Sequence, residues 1–304
     1  MKNDFKKVIL CGLGAIGGIY ADKFCNTPQV DFYALADKSR IEKYKKNPVL
    51  FNSSPLNPKY ITPDYPAIKA DLIIISTKYS GYNEALEEIK NFVGENTVIL
   101  PLLNGVTSEI AAAEKYGWDK VLYSFFIGHS AIRENSNITH DGIGKIVFGS
   151  ENKNDPKIYQ VKEIFDTAKI DYEIPDDIKY ALWQKFILNV SSNPTTALFR
   201  LTFGEMQNTP PFMDFAQKIM AEVIEIAKAE GIKNTEHLLK SSLDYLKKMS
   251  ADGKTSMLQD VEAGRKTENE IFAGTVTKLG MKHKIPTPYC NMINEMFEII
   301  DYNK

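Results

Sequence analysis

Apolar residues follow two different rhythms along this chain, and the switch between them divides it. Up to about residue 175, short continuous apolar runs alternate with stretches of helical spacing: Lys7–Cys11, a helix over Ala15–Cys25, Val30–Ala34, Leu72–Ser76, a helix over Tyr82–Phe92, Thr97–Leu100 and Val121–Phe126. Unbroken apolar strands set between helices predict a parallel sheet covered on both faces, because neither side of such a strand can face water. Gly144–Gly149, a helix around Ile158–Ala168 and Asp171–Ile174 complete this part. From Asp176 onward the apolar period is near 3.6 and strand signals cease, so that Ile178–Asn193, Pro211–Ala229, Thr235–Lys247 and Ser256–Leu279 all read as helices. The pattern predicts an α/β domain over 1–175 and an all-helical domain over 176–304. No repeat, low-complexity tract or long linker separates them, so a cleft between the two is expected.

The first chemical signal stands at the junction of the first strand and the first helix. Gly12-Leu13-Gly14-Ala15-Ile16-Gly17 is a G-x-G-x-x-G run placed where a strand ends and a helix begins. Glycines there allow a tight turn and let backbone amides approach a pyrophosphate, while the helix N-terminus adds the positive end of its dipole. That context makes the first domain a Rossmann-type dinucleotide-binding domain, with residues 12–17 against the phosphates. Asp37 lies 20 residues past Gly17, where an acid would accept from the 2′-hydroxyl of NAD. Lys38 and Arg40, just beyond, could instead pair with the 2′-phosphate of NADP. Ser76-Thr77-Lys78 and Leu102-Leu103-Asn104-Gly105 follow two further strands, at the carboxyl ends where open sheets bind ligands, which favours a site role for Lys78 and Asn104. An Asn-Gly turn is the competing reading of Asn104.

Composition removes several classes of partner. The 304 residues carry 37 basic and 39 acidic side chains, a net charge of −2, so there is no broad basic field for nucleic acid or an anionic membrane. Three cysteines, Cys11, Cys25 and Cys290, are unpaired by spacing and suit a reducing cytoplasm. Apolar runs such as Leu72–Ile75 are far shorter than the roughly 20 residues of a membrane span. The four histidines show no ligand spacing, and no metal site is expected. The partner is then a small molecule, bound by a monomer or homodimer.

In the helical part, Lys185, Asn189 and Asn193 recur every four residues and share one polar stripe, which Pro194 is expected to end or bend. One ammonium and two amides supply donors for a carboxylate and a carbonyl, and a partly desolvated lysine can give up a proton. A solvated face explains the same stripe equally well. Ser256, three residues before Gln259, is read as the N-cap of a capping box, and the same helix start offers donors to an anion. Glu268 stands in the charged run Arg265–Glu270.

Taken together, Gly12-x-Gly14-x-x-Gly17, Thr77-Lys78, Leu103-Asn104-Gly105, Trp183-x-Lys185 with Asn189 and Asn193-Pro194, Thr255–Asp260 and Thr267-Glu268 resemble the ketopantoate reductase (2-dehydropantoate 2-reductase) family over nearly the whole chain. The resemblance implies hydride delivery from NADPH to a 2-oxo acid during pantothenate synthesis. It implies Lys185 as general acid and Glu268 as a catalytic partner that also touches the cofactor. It further implies substrate binding by Asn189, Asn193 and Ser256, with Asn104 and Lys78 at the nicotinamide end. Two positions depart from the family pattern. Ala34-Leu35-Ala36-Asp37 stands where an arginine often holds the 2′-phosphate, leaving Lys38 and Arg40 to replace it for NADP(H), with NAD(H) as the alternative. Phe203 replaces a substrate-contacting asparagine, so a related branched 2-oxo acid is a second candidate substrate. Another two-domain hydroxyacid dehydrogenase and a dinucleotide-sensing regulator are the remaining readings, and the presence of Lys185 and Glu268 argues against the regulator.

Overall fold

A computed structural model describes residues 5–66, 68–129 and 131–302. Their contacts separate into two compact units, 1–103 with 107–178 and 104–106 with 179–304. In the first unit the chain runs β1 Lys6–Cys11, α1 Ala15–Cys25, β2 Val30–Leu35, α2 Lys38–Lys46, β3 Leu50–Phe51, β4 Ser54–Pro55, β5 Lys59–Ile61, β6 Leu72–Ile75, α3 Tyr82–Glu88, β7 Val98–Pro101 and α4 Ser108–Tyr116. It continues through β8 Tyr123–Gly128, β9 Ile132–Glu134, β10 Asn137–Thr139, β11 Gly144–Gly149, α5 Pro156–Ala168 and β12 Tyr172–Glu173.

The principal sheet is parallel throughout, in the order β5-β2-β1-β6-β7. Strands β1, β6 and β7 bury both faces: Val8, Leu10, Leu72, Ile74, Val98 and Leu100 pack into one core, while Ile9, Cys11, Ile73, Ile75 and Ile99 pack into the other. Each fully buried aliphatic side chain contributes about 1.5–3 kcal/mol, so the four residues of β6 alone anchor the sheet. Cys11 pairs with Leu35 on one side and Ile75 on the other, which brings three strand ends level. The chain leaves β1 outward to β2 and returns to β6, and that reversal is where a doubly wound sheet opens a binding crevice. The strands β8, β11 and β12 form a second small sheet, and β4, β3, β10 and β9 a third that periodicity gave no sign of, its strands being two or three residues long. Helix α2 was also not foreseen, since Ile41 is its only buried residue and it carries no apolar stripe.

The second unit holds α6 Ile178–Phe199, α7 Phe203–Gln207, α8 Pro210–Ala229, α9 Leu238–Leu246, α10 Ser256–Glu262, α11 Ala273–His283 and α12 Pro288–Asp301, with no strand among the described residues. Two expectations need correction. Of the two outcomes expected at Pro194, an end or a bend, the end is excluded, since α6 runs on to Phe199; around it Ser192 and Thr196 hydroxyls donate to the carbonyls of Leu188 and Ser192 at 2.6 and 2.7 Å, keeping the buried hydroxyls paired. The segment Ser256–Leu279 is not one helix, because Gly264 takes φ +65° and Arg265 pairs with Asp260, closing α10 before α11 begins. The periods named from sequence stop at Leu279, yet α12 follows. The buried carboxylate of Glu222 in α8 accepts from the backbone N–H groups of Tyr289 and Cys290 at 2.8 and 2.9 Å, capping the start of α12. No described helix is long and apolar enough to cross a membrane.

Candidate active site

The turn after β1 is shaped so that only glycine fits at positions 12 and 17. Gly12 has φ +101°, and a Cβ there would lie 2.6 Å from the Thr77 amide nitrogen. A Cβ on Gly17 would lie 2.0 Å from the Gly12 carbonyl oxygen and 2.6 Å from Ser76 Oγ. Ser76 ties the two segments together, its hydroxyl donating to Gly12 O at 2.7 Å and its amide to Cys11 O at 2.8 Å. Gly14 is the N-cap of α1 and brings no side chain to that end, so the first-turn amides, Ala15 to Gly17, are left for an anion. Arg133 of β9 reaches the same turn, its guanidinium donating to Leu13 O. The Thr77 hydroxyl, next to Gly12, is buried with no hydrogen-bond partner. From the sequence, only Lys78 of the run Ser76-Thr77-Lys78 takes a site role and Arg133 takes none; a serine or threonine directly after a buried strand that abuts a glycine turn is the available signal. Lys78 is exposed at the start of the short turn Tyr79–Gly81.

At the end of β2, Asp37 is the N-cap of α2, accepting from Arg40 N at 2.9 Å and from Ser39 Oγ at 2.7 Å. Those bonds hold its carboxyl below the usual carboxylate range. Arg40 Nε lies 3.5 Å from the same carboxylate, while Lys38 is exposed. At the end of α3, Glu88 accepts from the Cys11 thiol at 3.6 Å. Burial lifts the Glu88 carboxyl above its ordinary range; Glu84 and Asp37 add to the effect, and Arg40 opposes it.

In the second unit, α6 carries the polar stripe. Lys185 Nζ donates to Asn104 Oδ1 at 3.1 Å, so a lysine and an asparagine 81 residues apart meet. Asn104 thus belongs to the helical unit and not, as its position after a strand had suggested, to the first. Gly105 has φ +95° in a bend, and a Cβ there would lie 3.4 Å from the carbonyl oxygen of Ile271, three residues after Glu268. Glu268 is half-buried and precedes the short turn Asn269–Ile271. Further along α6, Asn193 Nδ2 donates to Asn189 Oδ1 at 3.4 Å, and Asn193 Oδ1 accepts from Ser256 Oγ at 2.9 Å and from Met257 N at 3.3 Å. Ser256 is not the N-cap: Thr255 is, with Oγ1 accepting from Leu258 N at 3.2 Å. Serine and threonine cap equally well one residue apart, and the 2.7 Å bond between the Thr255 and Thr196 hydroxyls selects the threonine. The Ser256 hydroxyl is therefore released from capping and lies exposed beside Asn193. The described residues hold no metal-ligating cluster.

A phosphate-cradling turn on a parallel sheet, followed in the chain by a helical unit that holds an ammonium among amides, defines a pyridine-nucleotide-dependent oxidoreductase. Residues 8–153 match the model of Ketopantoate reductase PanE/ApbA, and 177–301 that of its C-terminal part, and the chain belongs to this family. It is 28% identical to the 2-dehydropantoate 2-reductase of Aquifex aeolicus, over 95% of each chain. Among solved structures, a 2-dehydropantoate 2-reductase from Geobacter metallireducens superposes with TM-score 0.82 at 25% identity, over 96% of this chain and 99% of that one. D-mandelate dehydrogenase, solved with NADH and anilino(oxo)acetate, shares the fold at TM-score 0.86 and 18% identity, over 97% and 98%.

Proposed function

We propose that this protein reduces a 2-oxo acid to the 2-hydroxy acid, with 2-dehydropantoate as the substrate and cytoplasmic pantothenate synthesis as the setting. The observation that carries the reading is the bond from Lys185 to Asn104, which holds a proton donor among the amides of one unit. A bound reduced nicotinamide supplies the hydride to the 2-oxo carbon. Lys185 gives its proton to the oxygen that gains charge, and Asn104 keeps the ammonium aimed. Asn189, Asn193 and Ser256 present amide and hydroxyl groups suited to a carboxylate and a hydroxyl, and Glu268 assists at the site. The glycine turn is suited to a pyrophosphate, since a Cβ at Gly12 or Gly17 would collide with Thr77 N or Gly12 O and force open the tight turn that leads into the α1 amides, and the orphaned Thr77 hydroxyl is a ready donor. Lys78 and Asn104 serve the nicotinamide end. The family resemblance points to NADP(H), with NAD(H) as the alternative, and Asp37, Lys38 and Arg40 bear on the choice.

A second reading, that a less polar 2-oxo acid is the substrate, is favoured by Phe203, whose ring packs on Gly253, 2.7 Å from where a Cβ would stand. Turnover of 2-dehydropantoate, of its analogue lacking the hydroxyl and of phenylglyoxylate, followed by loss of reduced-nicotinamide absorbance, separates the two. The first reading expects the highest kcat/KM for 2-dehydropantoate. Higher values for both less polar acids establish the second, and no turnover of any sinks both.

A further inference from the structure

The carboxyl ends of β1, β2 and α3 gather charge of one dominant sign. Asp37 stands at the end of β2 with Arg40 Nε 3.5 Å from its carboxylate, and Glu88 ends α3 one turn after Glu84, so three carboxylates stand against the two cations Lys38 and Arg40. Arg40 is already engaged, its guanidinium 3.5 Å from Asp37 and its amide bonded to the same side chain. Glu88 sits against Cys11, the residue that enters the glycine turn. The turn fixes where a dinucleotide's pyrophosphate lies, and in this fold the adenosine ribose then falls at the end of the second strand, which is where Asp37 stands. The buried, unpartnered Thr77 hydroxyl independently marks the same turn as a place that awaits a polar ligand.

We infer that this chain prefers NAD(H), with Asp37 accepting from the ribose 2′-hydroxyl and Glu88 helping to exclude a 2′-phosphate. The inference rests on the function proposed above and departs from the cofactor that the family resemblance implies. A 2′-phosphate carries close to two negative charges and would enter beside two carboxylates, one of which, Asp37, is held ionised by the bonds that cap α2. Like charges brought together at a recognition site disfavour the wrong partner strongly. A 2′-hydroxyl brings no charge and offers a donor. Asp37 is placed to serve as cap and ribose reader at once, because its bonds to Ser39 and Arg40 N use one oxygen, Oδ1, while Oδ2 faces the exposed Arg40 guanidinium at 3.5 Å and keeps a lone pair for a hydroxyl.

The test is direct binding of NADH and NADPH to the intact protein, read by the change in nicotinamide fluorescence with no substrate present. The wild-type protein should bind NADH about tenfold or more tightly than NADPH. Asp37→Asn keeps a good N-cap and removes the charge; it should narrow the ratio to about threefold or less, chiefly by strengthening NADPH. Glu88→Gln should narrow it in the same direction by less. Equal binding, or tighter NADPH binding, by the wild-type protein overturns the inference and leaves the proposed reductase standing. An unchanged ratio in a folded Asp37→Asn protein removes Asp37 from the role and overturns the inference too. Failure of the folded wild-type protein to bind either dinucleotide overturns the reductase reading itself.

Discussion

The glycine turn of the first unit and the polar cluster of the second solve opposite problems. The turn is made almost wholly of backbone: Gly12 and Gly17 clear space, and the groups that would meet a phosphate are amides that every residue has. The cluster is made of side chains drawn from 104, from 185–193 and from 256, each needing its own rotamer and its own partner. A backbone site is fixed by local conformation and damaged by adding atoms. A side-chain site is fixed by long-range packing and damaged by removing them.

The sharpest way to break this contrast is at Lys185. Lys185→Ala should lower kcat by about 100-fold or more and leave dinucleotide affinity nearly unchanged, since proton donation is lost while the turn is untouched. Steady-state kinetics beside a binding titration checks this, and a near-normal kcat would take the proton away from Lys185. Gly17→Ala attacks the other region by addition. Its new methyl would meet the Gly12 carbonyl at 2.0 Å, a backbone atom that cannot swing aside, so about 1–3 kcal/mol of stability should go together with dinucleotide binding. Thermal melts with and without cofactor measure both, and a variant that still binds normally would show the turn to be softer than its geometry.

A smaller effect separates structure from recognition within the cluster. Thr255→Ala removes the cap of α10 and its bond to Thr196, so it should cost about 0.5–2 kcal/mol of stability with KM little changed in the folded protein. Ser256→Ala should do the reverse, raising KM for the 2-oxo acid about tenfold with a nearly unchanged melt. Matching effects from the two variants would erase the distinction. The smallest effect concerns acid. The folded Asp37 carboxyl lies below its ordinary range, so its contribution is complete above the ordinary carboxylate value, about 3.9, and is lost as pH falls through the depressed one. Asp37→Asn, which caps without titrating, should melt with slightly less dependence on pH in that acid window; an identical pH profile would show that the cap bonds are not linked to ionisation.

The same contrast decides what could be read from sequence. Gly12 to Gly17 lie together, and β1 and α1 announce themselves by buried runs and helical spacing, so the turn and its neighbours were legible. Lys185, Asn189 and Asn193 were visible as a stripe, but one that a solvated face explains equally well; only the distant partners Asn104 and Ser256 give it meaning, and no local pattern encodes those. Resemblance to a family supplied what spacing could not. The cap at Thr255 was misplaced by one residue because the two hydroxyls are locally interchangeable and a tertiary contact with Thr196 decides between them. Arg133 was missed because β9 is three residues long and its partner, Leu13, is 120 residues away.

Glu222 gives the helical unit a cooperative clasp. Its buried carboxylate takes two amides at the start of α12 across 67 and 68 positions of chain. The last helix is therefore no ornament that can be trimmed: a chain shortened before Pro288 would leave the buried Glu222 carboxyl without its two donors as well as uncover Cys290, Ile293 and Phe297. Amides of α8 and α12 should accordingly exchange their hydrogens together, as one late-opening block, while the residues of α9 and α10 open earlier and separately.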